Sequence, residues 1–350
     1  MSRGKLALGI DIGSSSIKMV MLKESRRGYR LEAFGMAPLP PEAIVDGSLM
    51  DSSVVVQAIS DLVRSQKIRR KEVATSVSGR SVNVKKLTVP KMTRQELAEN
   101  IRWDLEQYIS HHADEVYADA EILYEGEDGQ MDVLLVAAKR DLVSDYVMVL
   151  NEAGLKAVVV DVDALAAQNA VEMAVGFDES STVAIINMGA SVTNLTIVSR
   201  GVTAFVRDLT IGGNLITEEI QKNLGISYEE AEALKIGGRL GEDVDAIVPQ
   251  EVERIIAQVS GQLAGEIQRS LDFFASPTNT QYEKIYLAGG TAKIPSLQRM
   301  ISDRSGAPVE VINPFASVEV DRKRFDVDYL EEVAPMATVA VGLALRREEV

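Results

Sequence analysis

A chain of 350 residues, 46% hydrophobic and 25% charged, is long enough for two lobes with separate cores. No apolar run reaches the roughly eighteen residues of a membrane span, and the opening MSRGKLALGIDIG passes into a strand pattern carrying an Asp rather than a leader's apolar stretch, so a cytosolic protein is expected. Zero cysteines exclude disulfides and thiolate metal sites, adjacent His111 and His112 cannot form an i, i+4 ligand pair, and a net charge of -15 argues against nucleic acid and direct membrane insertion.

In chain order, Lys5 to Ile10, Ser16 to Lys23 and Tyr29 to Met36 read as a strand meander, with Ser25-Arg26-Arg27-Gly28 turning between the last two. Asp51 caps an amphipathic helix carrying Val54, Val55, Ala58, Ile59 and Leu62, and Glu72 to Ser78 is a further strand. Val82 to Val89 forms a strand stopped by Pro90, after which Thr93 and Glu96 make a capping box for a helix through Ile109. Leu97, Ile101, Leu105, Tyr108 and Ile109 stripe that helix, and Trp103 points nearly opposite, either onto a neighbouring element or into a partner surface. Strands Val116 to Tyr124 and Met131 to Ala138 flank an acidic turn ending in Asp128-Gly129, and Asp141 to Ala153 is helical. Residues 81–157 read as an inserted subdomain.

The sequence then repeats itself. LALGIDIGSSSIKMVML aligns on TVAIINMGASVTNLTIV at a constant offset of 176, which brings Asp11 onto Asn187, Gly13 onto Gly189 and Ser15 onto Ser191. Helices over Gly213 to Asn223, Tyr228 to Lys235 and Glu251 to Ala275 follow, the last striped by Val252, Ile255, Ile256, Val259, Leu263, Ile267 and Leu271. The strand Lys284 to Ala288, a helix after Pro295, and a nearly all-apolar buried helix from Pro335 to Arg346 complete the chain.

A strand-to-strand turn of Gly and Ser exposes consecutive backbone N–H groups and lets phosphate oxygens approach. Either turn alone is consistent with an ordinary hairpin. Paired by duplication, Gly13-Ser14-Ser15-Ser16 and Gly189-Ala190-Ser191 make a clamp for a polyphosphate, with Lys18 adding charge and Asp11 placed to hold water on Mg²⁺.

LALGIDIGSSSIK, VAIINMGASVTNLTIV and KIYLAGGTAKIPSLQRMI, joined through VVDVDALAAQNAV and VAPMATVAVGLAL, resemble in sequence and order the two phosphate motifs, the adenosine motif and the two connecting helices of the actin, sugar-kinase and DnaK-type chaperone superfamily. Within it the chain resembles the PilM family of cytoplasmic type IV pilus assembly proteins. VSGRSVNVKKLTVPKMTRQELAENIRWDLEQYI resembles the subdomain that this family shares with the cell-division protein FtsA. FtsA-like proteins end in a membrane-binding amphipathic helix, whereas only Arg346 to Val350 follows the last buried helix here, which favours the PilM family.

The resemblance implies an α/β, actin-like (ribonuclease H-like) two-lobed fold with an FtsA-type inserted subdomain. Residues 1–80 and 158–180, rejoined by 333–350, are the expected first lobe, 81–157 the insertion and 181–332 the second lobe. It implies ATP and Mg²⁺ as cofactors, with Gly213, Gly289, Gly290 and Thr291 joining the two turns around the nucleotide, and Glu232 and Lys235 flanking ribose and base in an AExxK pattern. Asp11 and Asn187 are expected to hold Mg²⁺ through water. Asn187 stands where the superfamily usually has Asp, and Asn194 replaces a second polar or acidic position. The water-positioning carboxylate corresponds to Asp163, with Asp161 as the alternative, so Asp11 and Asp163 are the catalytic candidates and hydrolysis is expected to be slow or absent. The implied partners are the N-terminal cytoplasmic tail of the membrane protein PilN and other inner-membrane pilus assembly proteins, with attachment to the membrane only through protein. An FtsA-like filament-forming ATPase and a small-molecule kinase are the alternatives.

Overall fold

The computed structural model describes residues 5–26, 28–45, 47–237, 250–278 and 280–348. Arg27, in the turn expected before Gly28, and the final residues Glu349 and Val350 lie outside the described residues.

The chain opens with β1 (Leu8–Ile12), β2 (Ser16–Ser25) and β3 (Gly28–Pro38), followed by a short hairpin of β4 (Ile44–Val45) and β5 (Ser48–Leu49), helix α1 (Ser52–Ser65) and β6 (Glu72–Val77). Asp51 caps α1 by accepting the Val54 N–H, which satisfies one of the donors a helix start leaves open. Next come β7 (Val82–Pro90), α2 (Arg94–Tyr108), β8 (Val116–Glu125), β9 (Gln130–Lys139), α3 (Arg140–Glu152), β10 (Lys156–Val162) and α4 (Asp163–Val175). The remainder comprises β11 (Thr182–Met188), β12 (Thr193–Ser199), β13 (Val202–Leu209), α5 (Asn214–Leu224), α6 (Tyr228–Lys235), α7 (Gln250–Thr278), β14 (Lys284–Ala288), α8 (Pro295–Ser305), β15 (Val309–Val311), β16 (Val318–Glu319), α9 (Val327–Val333) and α10 (Thr338–Ala344).

Two large sheets carry the same wiring. One runs β10-β6-β1-β2-β3-β16 and the other β13-β12-β11-β14-β15. In each, three consecutive strands form an antiparallel meander, and the first of them continues through two parallel neighbours. The repeat extends to register: Asp11 faces Lys18 across β1 and β2, and Asn187 faces Asn194 across β11 and β12. The sequence duplication is therefore a duplication of half-sheets. The fold is the α/β, actin-like one that the motifs imply.

Each sheet buries its apolar face against helices. Leu8, Ile10, Ile17 and Met19 pack with Val55 and Ile59 of α1, while Ile186 and Leu195 pack with the expected α7 stripe of Val252, Ile255, Val259, Leu263, Ile267 and Leu271. Helices α4 and α10 lie against one another, with Ala166 and Ala167 meeting Val339 and Leu343, small side chains that permit a close approach. The three-stranded sheet β7-β9-β8 and α2 form a separate core of Leu97, Ile101, Leu105, Val133 and Leu135. Helix α3 instead buries Tyr146, Val149 and Leu150 in the core of the first sheet.

Three local expectations change. The connecting segment from Val159 does not begin as helix: β-branched Val158, Val159 and Val160 belong to β10, and the helix starts at Asp163. Ala334–Ala337 forms a tighter 3₁₀ turn containing Pro335, and the buried α-helix runs only from Thr338 to Ala344. Trp103 is 86% exposed and does not pack on a neighbouring element.

Candidate functional site

Both Gly-containing turns close the same way. The Gly13 N–H donates to the Ser16 carbonyl at 3.2 Å, and the Gly189 N–H donates to the Val192 carbonyl at 3.0 Å. In the first turn a Cβ on Gly13 would lie 3.0 Å from Lys18 Nζ and 3.2 Å from the Ser16 carbonyl, so a side chain would fill the cradle. Lys18 Nζ sits 3.3 Å from Asp11 Oδ2 and donates to the Ser16 carbonyl. Ser16 Oγ is buried without a hydrogen-bond partner among the described residues. Buried hydroxyls are normally satisfied, so this atom fits an incoming acceptor such as a phosphate oxygen.

The second turn is locked to the start of α5. The Gly213 N–H donates to the Gly189 carbonyl, the Asn214 N–H donates to the Ala190 carbonyl, and Asn214 Nδ2 donates to Ser191 Oγ. Tyr228 in turn donates its hydroxyl to Asn214 Oδ1 at 3.0 Å. Gly289 has φ +85°, and the Met188 carbonyl leaves no space for a Cβ there. Thr291 Oγ1 donates to the Gly189 carbonyl at 2.9 Å, so the 289–291 loop is tied to the second Gly-containing turn.

Glu232 and Lys235 form an ion pair at 2.6 Å on α6, and Lys235 also donates to the Gly213 carbonyl and to Thr217 Oγ1. Thr217 donates to Glu232 at 2.6 Å. Burial pulls the Lys235 ammonium below its usual range, opposed by Glu232. The expected residues Gly213, Glu232, Lys235 and Thr291 thus come together with the second turn. Asn214, Thr217 and Tyr228 escape sequence reasoning. Thr217 lies between buried Ile216 and Ile220 on the α5 core stripe, where a hydroxyl reads as filler.

The carboxylates separate by position on their elements. Asp163, the first residue of α4, accepts from Ser76 Oγ at 2.6 Å. Burial and then the Asp11 charge push its carboxyl up to about 7. Asp161, two residues earlier on β10, is bound to Arg346 at 2.5 Å, so it is engaged by the chain's last segment. The Tyr146 phenol is raised by burial and by the charges of Asp163 and Asp11.

A further polar line crosses the second sheet. Asn187 Nδ2 donates to Asn194 Oδ1 at 2.8 Å, and Asn194 Nδ2 donates to Asp208 Oδ1 at 2.8 Å. Asp208 Oδ2 accepts the N–H of Gly79, just beyond β6 of the first sheet, at 2.7 Å. Burial raises the Asp208 carboxyl, and its two donors act against that. Arg80 adds a second link across the same junction, donating to Thr210.

Comparison with known proteins gives this geometry its context. The family described as "Type IV pilus assembly protein PilM" matches residues 9–348. The solved "PilM-PilN type IV pilus biogenesis complex" is 30% identical over 98% of this chain and 99% of that one, with a TM-score of 0.87. FtsA of Streptococcus pneumoniae serotype 2 is 23% identical over 356 residues, covering 90% of this chain and 77% of its own length. MreB5 of Spiroplasma citri, solved with ADP, is 15% identical over 97% of this chain and 94% of its own, with a TM-score of 0.50, a likeness of fold.

Proposed function

This chain belongs to the PilM family of type IV pilus assembly proteins, and from that premise we propose that it is a nucleotide-dependent scaffold that holds the N-terminal cytoplasmic tail of a PilN-type membrane protein. The observation that carries this reading is 30% identity over 98% of the chain to a protein solved as a PilM-PilN complex. Among the described residues no helix is long and apolar enough to cross a membrane. Attachment to the inner membrane, and contact with other pilus assembly proteins there, then runs through the bound tail.

The residues fit ATP. The Ser14, Ser15 and Ser16 turn offers N–H groups and the unpartnered Ser16 Oγ to phosphate oxygens, and Ala190 and Ser191 face them from the second turn. The adenosine is assigned to the side where Gly213 separates Thr291 from the Glu232–Lys235 pair, a Cβ on Gly213 lying 2.5 Å from Thr291 Oγ1 and 3.5 Å from Lys235 Nζ, with Gly289 and Gly290 beside it. Mg²⁺, when bound, would neutralise phosphate charge through waters held by Asp11 and Asn187. Asn187 offers only an amide, which takes no proton, and Asp163 is one methylene shorter than the Glu often found at that position, so the attacking water is poorly placed. Turnover is accordingly slow or absent, against roughly 1–100 per second for kinases.

The tail has a receptive groove. A cleft of ≈ 340 Å³ lies between β8 and α3, lined by Tyr117, Val143, Val147 and Met148 with Ser144 and Asn151. Strand β8 is the edge of its sheet, so an extended peptide can add backbone hydrogen bonds to apolar anchoring. Titrating a fluorescent PilN-type tail peptide into the whole protein should give saturable binding on the order of micromolar, weakened by Met148→Glu. Absence of saturable binding refutes the scaffold reading. For the nucleotide, Gly290→Val separates binding from folding, because a Cβ there meets nothing nearer than Met336 at 3.7 Å. The variant should fold normally and lose ATP in calorimetry.

A further inference from the structure

We infer that Asp208 is a positioning residue for the nucleotide's cation: through Asn194 it fixes the amide of Asn187 so that a carbonyl oxygen, not an NH₂ group, is presented to a metal-bound water. The inference rests on the nucleotide reading above and deepens it.

Donor and acceptor chemistry forces the polarity of the line. A backbone N–H only donates, and an ionised carboxylate only accepts. Asp208 takes the Gly79 N–H on Oδ2 at 2.7 Å, so its Oδ1 must receive the NH₂ side of Asn194, at 2.8 Å. That turns Asn194 Oδ1 toward Asn187, which can then bond only by donating Nδ2, again at 2.8 Å. Asn187 is left with Oδ1, which carries no hydrogen bond among the described residues, while its partner Asn194 is 2% exposed and sealed against a change of partner. Waters on a divalent cation point their hydrogens outward and need acceptors. The orientation set by Asp208 supplies one from a residue that carries no charge.

The same line spans the two sheets, since Gly79 follows β6 and Asn187, Asn194 and Asp208 lie on β11, β12 and β13. The orientation of Asn187 and the apposition of the two halves are therefore set by the same carboxylate.

Polarity is testable because it can be reversed without loss of bonds. In Asp208→Asn, Oδ1 can still accept from Gly79, but the new NH₂ faces Asn194. Asn194 then turns over, Asn187 turns after it, and an NH₂ faces the metal waters. In Asn187→Asp alone, a carboxylate meets Asn194 Oδ1, and Asn194 cannot turn without opposing Asp208. With both changes every junction again pairs a donor with an acceptor, now with a carboxylate toward the cation.

The experiment measures ATP affinity by calorimetry with Mg²⁺ and with EDTA, and thermal unfolding without nucleotide, for the wild type, both single variants and the double variant. Asp208→Asn is expected to unfold near the wild-type temperature while the Mg²⁺-to-EDTA affinity ratio falls about tenfold, the worth of one charge-assisted bond. Asn187→Asp is expected to unfold at lower temperature, and adding Asp208→Asn is expected to restore both the midpoint and the affinity ratio. An unchanged ratio in Asp208→Asn, or no rescue in the double variant, overturns the inference. A wild type that binds no ATP under either condition overturns the nucleotide reading and with it the cation role of Asp208. The unfolding midpoints then decide the donor order of the line by themselves.

Discussion

The two half-sheets carry different chemistry at equivalent points. In the first copy Asp11 and Lys18 form an ion pair across β1 and β2, buried to within a tenth of full exposure. In the second, Asn187 and Asn194 form an amide pair across β11 and β12. The first junction is held by attraction between charges, which depends on both partners staying paired out of water. The second is neutral and is held by direction, with its one charge displaced to Asp208 on the adjoining strand. One backbone plan thus supports a charged pair beside one Gly-containing turn and an oriented, uncharged pair beside the other.

Removing either partner of a pair breaks this comparison most sharply. Lys18→Ala leaves Asp11 buried without its cation and is expected to cost about 3 kcal/mol in a urea titration. A loss under about 1 kcal/mol would mean that the first junction is no more dependent on charge than the second. Asn194→Ala, at the equivalent position, removes two hydrogen bonds and is expected to cost about 2 kcal/mol by the same measurement.

Asp163 sharpens the comparison through pH. Burial and the Asp11 charge push its carboxyl up to about 7 in the fold from an ordinary value of 3.8, so between these values the folded state holds a proton that the unfolded chain has released. Stability from this residue therefore falls as pH rises through that window, and the loss is complete above about 7. Asp163→Asn keeps an acceptor for Ser76 and should flatten the profile, gaining on the wild type as unfolding is repeated from pH 5 to pH 8. A parallel profile for the variant counts against Asp163 as the buried acid. The smallest effect belongs outside both copies: Trp103→Ala should change stability by no more than about 0.5 kcal/mol, because the side chain is 86% exposed.

Much of the local plan was legible in the sequence because it depends on neighbours in the chain. The Thr93–Glu96 capping box forms as the spacing predicts, and α6 spans Tyr228 to Lys235 as expected. The α7 stripe is buried where its period puts it, since an amphipathic helix has only one face to bury. Constant offset alone revealed the duplication, and the matched turns bear it out in register. The mistaken helix over Val159 to Val162 shows the limit of pattern: a short apolar run fits either period, and pairing with β6 decided for strand.

By itself, the sequence determined the repeated strand–turn–strand units, the glycine and serine residues of their turns, the helix caps and the apolar stripes, each set by interactions within a few residues. Only the tertiary structure decided which partners the two carboxylates Asp161 and Asp163 take. Ser76 bonds Asp163 from 87 residues away, while Arg346 takes Asp161 from 185 residues away, and no local spacing tells apart two carboxylates at i and i+2. It also decided that α3 joins the first core and that Trp103 is left outside every core. The line from Asn187 to Gly79 belongs to this second class. Its last bond joins residues 129 positions apart, and no spacing in the sequence records a contact that exists only once two sheets have packed.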